Sequence, residues 1–400
     1  MKRQALFLTG EMGLGGGAMF VLNLCEGLRL LDGNWSGVAG VFSSLGSIGQ
    51  QTLAAGHPVV GPFPEACIHE DAMAAMHQAC ASLRPDAVVA NLGGDAYDFM
   101  RFVPEGVLRI GMIHSDYEHV YRLVESYSAW LDIVVAVSRH SADLFRHRNP
   151  GTQLAVTHIT CGIPISTESR LPEDGVLRVL YLGRLEEEQK RVSMMTRIIR
   201  ESVTRDPRIR WTLVGDGPQG GEMRAALGNM PGVTFTGALP YAEARAAIPS
   251  HDVYFLCSDY EGLPLSMLEA MSSGLVPVVS DLPSGISEVV NDENGVRVNI
   301  ADEQGYIEAL LALASCPERL KSLSQHACRD VAGDYSLTAM GARWSALLDA
   351  HAKARMAPWD VRTDFDLPPI SKKSWIHRPV FRPLRRRLKG LGLAPSKSRT

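Results

Sequence analysis

The chain has 400 residues, of which 46% are apolar and 21% are charged. These values are ordinary for globular proteins and exclude a collagenous or low-complexity chain. The formal net charge is −4, but residues 351–400 hold 13 Lys/Arg and 3 Asp/Glu, so a basic tail follows an acidic body. The acidic body argues against nucleic acid as a partner.

The cysteines indicate a reducing compartment, and the apolar runs predict neither a signal peptide nor a membrane span. The seven cysteines are odd in number and widely spaced, and they form no C-x-x-C pair, which predicts buried free thiols. The apolar run after Met1 is too short for a signal-peptide core, and the longest uncharged stretch is too rich in Gly and Pro for a membrane span. We expect a cytoplasmic protein, with a peripheral position on the inner face of the membrane left open.

In the first half of the chain, short apolar runs alternate with amphipathic stretches. The runs predict strands at Ala5–Leu8, Gly37–Phe42, Ala87–Ala90, Val107–Ile113 and Ile133–Val137. The amphipathic stretches predict helices at Ala18–Leu31, Ile68–Leu83 and Ser141–Arg148.

The second half repeats this alternation. It predicts strands at Val179–Leu182, Trp211–Val214, Val233–Phe235, Val253–Leu256 and Val276–Val279. It predicts helices at Val192–Ser202, Gly221–Leu227, Ala242–Ala247, Pro264–Ser273, Gly305–Ala314 and Leu337–Ala354. Continuous Val/Ile/Leu runs separated by helices are typical of parallel sheets covered on both faces, so the expected class is α/β with two successive domains, 1–162 and 163–335.

The segment from Cys257 to Gly274 has the strongest chemical pattern. A polar loop containing Glu261 and Gly262 follows a strand, Pro264 fits a first helical turn, and Gly274 is a helix stop. The helix would present free backbone amides at the carboxyl edge of a parallel sheet, which favours an anion. Glu269 is expected to reach the same crevice and accept sugar hydroxyls, although both glutamates could instead be solvated surface charges.

This segment resembles the E-x7-E signature of retaining glycosyltransferases, with Glu261 and Glu269 at its two ends. The flanking pattern S-x-x-E-G-x-P-L-x-x-L-E-A-M-x-x-G also matches, and further landmarks of glycosyltransferase family 4 follow the expected order over roughly residues 5–352. The resemblance implies a GT-B architecture, in which two Rossmann-like domains face each other across the active site. It also implies that a last helix, 336–354, returns to the first domain before a basic tail, 355–400.

The resemblance implies a role for each matching residue. Glu261, Arg184, Lys190 and His114 would be catalytic, with the two cations stabilising the leaving diphosphate and His114 contacting the transferred sugar. The remaining contacts to the nucleotide sugar would come from Gly16, Gly17, Gly215, Asp216, Gly262, Leu263, Leu265, Ser266 and Glu269.

Simpler interpretations of these residues also fit the sequence. Glu186–Glu188 could pair with Lys190 and Arg191. The resembled family commonly has one residue fewer between its Arg and its Lys, so Lys190 matches the pattern less closely than Arg184 does, and Arg191 could share the role of Lys190. The glycines within Gly13–Gly17 suit any tight turn from a strand to a helix. A lone histidine such as His114 is often structural, and Asp216 could cap a turn.

No metal or other cofactor is expected. The D-x-D triplet at Asp364–Asp366 lies in the tail, and no His/Cys cluster has zinc spacing. In the tail, Leu384, Leu388 and Leu391 form one stripe among basic residues, which favours an anionic membrane surface, although a solvated tail is the alternative.

The sequence thus predicts a retaining, metal-independent transferase that moves a sugar from a nucleotide diphosphate, UDP- or GDP-linked, to a glycan or lipid-linked acceptor. Two alternatives stay open at this point. One is a catalytically silent scaffold subunit, and the other is an epimerase or phosphorylase on the same fold.

Overall fold

The computed structural model describes residues 2–63, 69–167, 175–352 and 359. Cys67, the D-x-D triplet and the basic stripe of the tail lie outside these residues. The described chain forms two compact units: one contains residues 2–63, 69–112, 122–134, 345–352 and 359, and the other contains residues 113–121, 135–167 and 175–344.

The first sheet has seven strands in the order β3-β2-β1-β4-β5-β6-β7. The strands are β1 (Arg3–Glu11), β2 (Trp35–Ser44), β3 (Val59–Val60), β4 (Ala87–Leu92), β5 (Leu108–Ile113), β6 (Ile133–Ala136) and β7 (Ala155–His158). The helices that alternate with them are α1 (Gly16–Leu31), α2 (Gly46–Ala54), α3 (His69–Leu83), α4 (Gly94–Met100), α5 (Glu118–Ser126) and α6 (Arg139–Arg148).

The second sheet has six parallel strands in the order β10-β9-β8-β11-β12-β13. They are β8 (Leu177–Leu182), β9 (Ile209–Val214), β10 (Val233–Gly237), β11 (Val253–Leu256), β12 (Val276–Ser280) and β13 (Val296–Val298). Its helices are α7 (Glu187–Lys190), α8 (Val192–Arg205), α9 (Gly220–Leu227), α10 (Tyr241–Ala247), α11 (Leu265–Ser272), α12 (Gly285–Val289), α13 (Glu303–Ser315) and α14 (Pro317–Asp334).

The buried centres of the strands explain why the prediction of two parallel sheets is confirmed. Ala5–Leu8 in β1, all of β11 and all of β12 are buried, because helices cover both faces of each sheet. Short edge strands and one-turn helices leave little apolar signal, and β3, β7, β13, α7 and α12 were accordingly not predicted.

One long helix was also missed. α14 buries Leu320, Leu323, Ala327 and Val331, which recur at helical spacing along one face. Its Ser324 hydroxyl donates to the carbonyl of Gly274 at 2.5 Å, so this face lies against the end of α11. The apolar residues of α14 therefore have helical periodicity in the sequence, but the charged residues between them make this periodicity hard to recognise.

The last helix, α15, runs from Leu337 to His351. Asp349 accepts a 2.9 Å hydrogen bond from the indole of Trp35 in the first unit. Trp359 is also buried in that unit, against His77 and Phe99. No described helix is long and apolar enough to cross a membrane.

The expectation of buried thiols is only partly correct. Cys25, Cys80, Cys161 and Cys257 are free and buried, and burial raises the pKa of Cys25 and Cys257 to about 12. Cys316, in contrast, is exposed at the end of α13, where the chain turns into the next helix.

Candidate active site

The second sheet has a switch point between β8 and β11. The chain continues from β8 to β9 on one side, whereas β11 pairs with β8 on the other. Such a reversal opens a crevice at the carboxyl ends of the two central strands. The segment after β8 carries Arg184 and Lys190, and the segment after β11 carries Glu261, so the topology brings these predicted residues to one edge.

Lys190 and Glu261 form an ion pair at this edge. The Lys190 Nζ lies 2.5 Å from Glu261 Oε1, and the two side chains are only 13% and 9% exposed. A second hydrogen bond joins the two loops: the side-chain amide of Gln189 donates to the backbone carbonyl of Tyr260 at 3.0 Å. The alternative that Glu261 is a solvated surface charge is therefore wrong.

The neighbouring cations are engaged differently. Arg191 has a left-handed backbone (φ 51°) and pairs with Asp259, so it does not share the partner of Lys190. The alternative that Glu186–Glu188 pair with these two cations is wrong, because Lys190 pairs with Glu261 and Arg191 with Asp259. Arg184 is exposed, and its carbonyl accepts a 2.5 Å hydrogen bond from the Tyr181 hydroxyl.

Helix α11 begins directly beyond the loop that carries Glu261. Its first internal hydrogen bond runs from the Leu268 amide to the Pro264 carbonyl at 3.3 Å, so the amides of Leu265 and Ser266 precede the ladder. Pro264 lies just before the helix instead of in its first turn. The helix dipole and these amides together favour an anion at this end.

Glu269 lies one turn further along α11 and is only 6% exposed. The Tyr241 hydroxyl donates to its Oε1 at 2.5 Å. Burial raises the pKa of Glu269, and the hydrogen bond from Tyr241 and the charge of Arg245 partly offset this. Because Glu269 is buried, the alternative of a solvated charge is wrong for this residue as well.

Gly262 and Leu263 are buried at the back of the loop, where the backbone approaches other segments closely. Ser115 forms an isolated antiparallel bridge with Gly262, and a Cβ on Gly262 would lie 2.1 Å from the His114 carbonyl oxygen. The Gly262 carbonyl in turn accepts from the Gly285 amide at 2.8 Å. Only glycine fits this position, which explains the E-G dipeptide.

His114 belongs to the same compact unit as Gly262. Burial lowers its pKa to about 4, because the charged imidazolium loses its hydration. The ring is therefore neutral at pH 7. It can exchange hydrogen bonds with a hydroxyl, but it cannot supply a positive charge.

Gly215 and Asp216 follow β9, next to β8. Gly215 has φ +136°, and a Cβ there would lie 1.9 Å from the Gly183 carbonyl oxygen. Asp216 is exposed, and its Oδ1 accepts a 2.8 Å hydrogen bond from the backbone amide of the next residue, Gly217.

Gly16 and Gly17 lie in the first unit, at the start of α1. The Asn91 side chain donates to the Gly17 carbonyl at 3.0 Å, and a Cβ on Gly17 would meet Leu92 at 2.8 Å. The glycines thus serve a tight turn at the switch point between β1 and β4, where a ligand could also approach.

Three residues of this region were not predicted from the sequence. Asp259 stands beside Glu261 and could have been identified as the partner of Arg191. Gly285 and Tyr241 lie in separate segments, and no spacing rule connects them with the loop. Within the described residues, no group of three or more His, Cys, Asp or Glu side chains could hold a metal ion.

Comparison with known proteins identifies the segment that builds this site. Residues 177–316 match the family described as Glycosyl transferases group 1. These residues form a glycosyl transferases group 1 domain. The group 1 domain contains most of the residues placed above, from Arg184 to Glu269.

Two curated relatives match the chain over stretches about as long as the group 1 domain. The sulfoquinovosyl transferase SQD2 of Arabidopsis thaliana is 30% identical over 145 residues, 36% of this chain and 26% of the relative. The phosphatidyl-myo-inositol mannosyltransferase of Mycolicibacterium smegmatis is 30% identical over 139 residues, 34% of this chain and 35% of the relative. The matches therefore span about a third or less of these two relatives.

A solved structure resembles nearly the whole chain. Anabaena Alr3699/HepE, in complex with UDP-glucose, superimposes with a TM-score of 0.71 at 16% identity and covers 87% of this chain and 99% of the other. The likeness supports the fold alone: two Rossmann-like parallel sheets, as in GT-B glycosyltransferases.

Proposed function

We propose that the chain is a retaining glycosyltransferase that transfers a sugar from a nucleoside diphosphate to a hydroxyl of a glycan or lipid-linked acceptor. The observation that carries the proposal is the Lys190–Glu261 pair beside the amino end of α11. A cation, two amides and a buried carboxylate at one sheet edge suit a diphosphate joined to a sugar.

In the proposed reaction, the acceptor oxygen forms a bond to the anomeric carbon while the bond from that carbon to the donor phosphate oxygen breaks. The acceptor proton passes to the leaving phosphate on the same face, so the anomeric configuration is kept. Arg184, Lys190 and the amides of Leu265 and Ser266 stabilise the charge that grows on the leaving group. Glu261 holds the donor sugar, and Glu269 accepts from the ribose.

The donor and acceptor are proposed by class. The donor is a UDP- or GDP-sugar and the acceptor is lipid-linked or a glycan. A solved neighbour in complex with UDP-glucose supports the UDP-sugar, and a curated relative named for phosphatidyl-myo-inositol supports the lipid-linked acceptor. His114 and the glycines Gly16, Gly17, Gly215 and Gly262 complete the proposed donor contacts, together with Asp216 and Leu263. Because the charges are met by cations and amides, we propose that no metal is required.

A nucleotide-release assay with EDTA present tests the proposal. First, UDP-, GDP- and ADP-sugars are screened by thermal shift, since a ligand at 100 times its Kd adds about 2.7 kcal/mol to stability. With the best donor and a panel of lipid-linked and glycan acceptors, release should depend on acceptor, and NMR should show the donor's anomeric configuration in the product.

Matched variants separate the alternatives. Lys190→Gln should lower turnover by at least about tenfold, because a charge-assisted contact is worth about 1.5–3 kcal/mol. Arg197→Gln removes the same charge from an exposed pair with Glu303 and should leave turnover unchanged. Donor binding without acceptor-dependent release would favour the silent scaffold, and an inverted product would contradict retention.

A further inference from the structure

Tyr241 is the first residue of α10 and the partner of the Glu269 carboxylate. Its hydroxyl donates to Glu269 Oε1 at 2.5 Å. Among the described residues, no other side chain or amide donates to this carboxylate. The terminal torsion of a glutamate is otherwise broad, so this one hydrogen bond sets the orientation of the carboxylate.

Arg245 holds the tyrosine ring from the next turn of the same helix. Its guanidinium carbon lies 6.0 Å from the ring centroid, and its Nη2 donates to the Pro164 carbonyl at 3.2 Å. A cation near an aromatic ring is attracted to its negative face. The ring is thus held by Arg245 while its hydroxyl is held by Glu269.

We propose that Tyr241 is a positioning residue of the nucleotide site, which fixes the Glu269 carboxylate so that Oε2 accepts a ribose hydroxyl of a nucleoside diphosphate. This inference rests on the proposed function, which assigns Glu269 to the ribose. A carboxylate that is already oriented loses less freedom when the ligand binds, and the affinity rises accordingly.

The test measures binding to wild type and Tyr241→Phe, using UDP, GDP or ADP, whichever raises the melting temperature most, and inorganic pyrophosphate as a second probe. Tyr241→Phe should weaken nucleotide binding about fivefold, the size of one ordinary hydrogen bond. Pyrophosphate lacks a ribose, so its affinity should not change.

Tyr306→Phe is the matched control. The Tyr306 hydroxyl is also buried and hydrogen-bonded, to Ser280 Oγ at 2.8 Å, but it does not contact Glu269. This variant should bind the nucleotide like wild type. The melting temperatures of both variants without ligand are measured first, so that a loss of folding is recognised.

Two further readouts distinguish positioning from a purely structural brace. In a Glu269→Ala background, Tyr241→Phe should cause no additional loss of nucleotide affinity, because it acts only through the carboxylate. Since the hydrogen bond from Tyr241 lowers the pKa of Glu269, Tyr241→Phe should also lose affinity on acidification at a higher pH than wild type does.

The outcomes separate this inference from the function on which it rests. If Glu269→Ala weakens binding and Tyr241→Phe does not, or if pyrophosphate is weakened as much as the nucleotide, the inference is wrong and the proposed function stands. If Glu269→Ala leaves nucleotide binding unchanged, or no nucleotide binds, the proposed role of Glu269 fails as well.

Discussion

The Lys190–Glu261 pair is the most buried ion pair of the site, with side chains 13% and 9% exposed. Two charges in such surroundings depend on each other, because neither recovers its full hydration when the other is removed. The adjacent Arg191–Asp259 pair is more exposed, at 28% and 34%, and therefore provides a comparison within the same two loops.

We expect Lys190→Met to lower the free energy of unfolding by about 3 kcal/mol, because Glu261 would keep a buried charge without its counter-ion. Urea unfolding measures this loss. Adding Glu261→Gln should restore part of it, whereas Arg191→Met should cost under about 1 kcal/mol. Equal losses for Lys190→Met and Arg191→Met would contradict the difference in burial.

His114 gives the site a pH-dependent stability. Its pKa is about 4 in the folded chain and about 6.5 when unfolded, so the unfolded chain binds more protons as the pH falls. Between pH 6.5 and 4, the unfolding free energy of wild type should fall about 1.4 kcal/mol per pH unit more steeply than that of His114→Gln. Above pH 7, the slopes should coincide.

Unfolding in urea at a series of pH values checks this expectation. His119→Gln is the control, because His119 lies in the same segment and is exposed. A parallel pH dependence in wild type and His114→Gln would show that burial does not depress the His114 pKa.

At the scale of elements, the loop from Cys257 to Pro264 is shaped by close backbone contacts. Gly262 lies under the His114 carbonyl, and a Cβ on the neighbouring Gly285 would lie 2.7 Å from the Gly262 carbonyl oxygen. The loop therefore has no room to shift away from the bridge with Ser115. Its position, and that of Glu261 next to it, depends on the absence of side chains at these two glycines.

Gly262→Ala should consequently lower the free energy of unfolding by at least about 1–3 kcal/mol, the usual range for overpacking, and should also reduce donor binding. Thermal unfolding with and without the donor measures both effects. Gly221→Ala is the control, because a Cβ at that position in α9 meets no atom within 4 Å, and alanine favours the helix. If the two variants unfold and bind the donor alike, the close approach of Gly262 to the His114 carbonyl oxygen is wrong.

The same elements show what the sequence could predict. Strands such as β11 and β12 were predicted because every residue is apolar or small and buried on both faces. The edge strand β7 was missed because its burial is only partial. In the site, local spacing indicated Glu261 and Lys190, but the pairing of Tyr241 with Glu269 depends on how α10 lies against α11, which no local pattern encodes.

The whole molecule combines two Rossmann-like sheets with an uneven distribution of charge. Residues 360–400 contain 11 Lys/Arg and 3 Asp/Glu, whereas the body before residue 351 carries an excess of acidic residues. We propose that the tail binds an anionic membrane surface, since each basic residue near such a surface contributes about 1 kcal/mol.

Deletion of residues 360–400 should therefore abolish sedimentation with phosphatidylserine vesicles while leaving the melting temperature unchanged. The deletion keeps Trp359, which is buried against His77 and Phe99 in the first unit. Neutral phosphatidylcholine vesicles are the control, and neither the full-length chain nor the shortened chain should sediment with them. Undiminished sedimentation of the shortened chain would rule out the tail as the attachment.

The bridge between Ser115 and Gly262 has a consequence for the alignment of His114 and Glu261, two residues of the proposed site. His114 is encoded at the end of a strand of the first sheet, yet it shares a compact unit with Glu261. The Ser115–Gly262 bridge therefore ties the backbone next to His114 to the loop that carries Glu261. Paired probes on these two segments should keep the same separation when a nucleotide sugar is added.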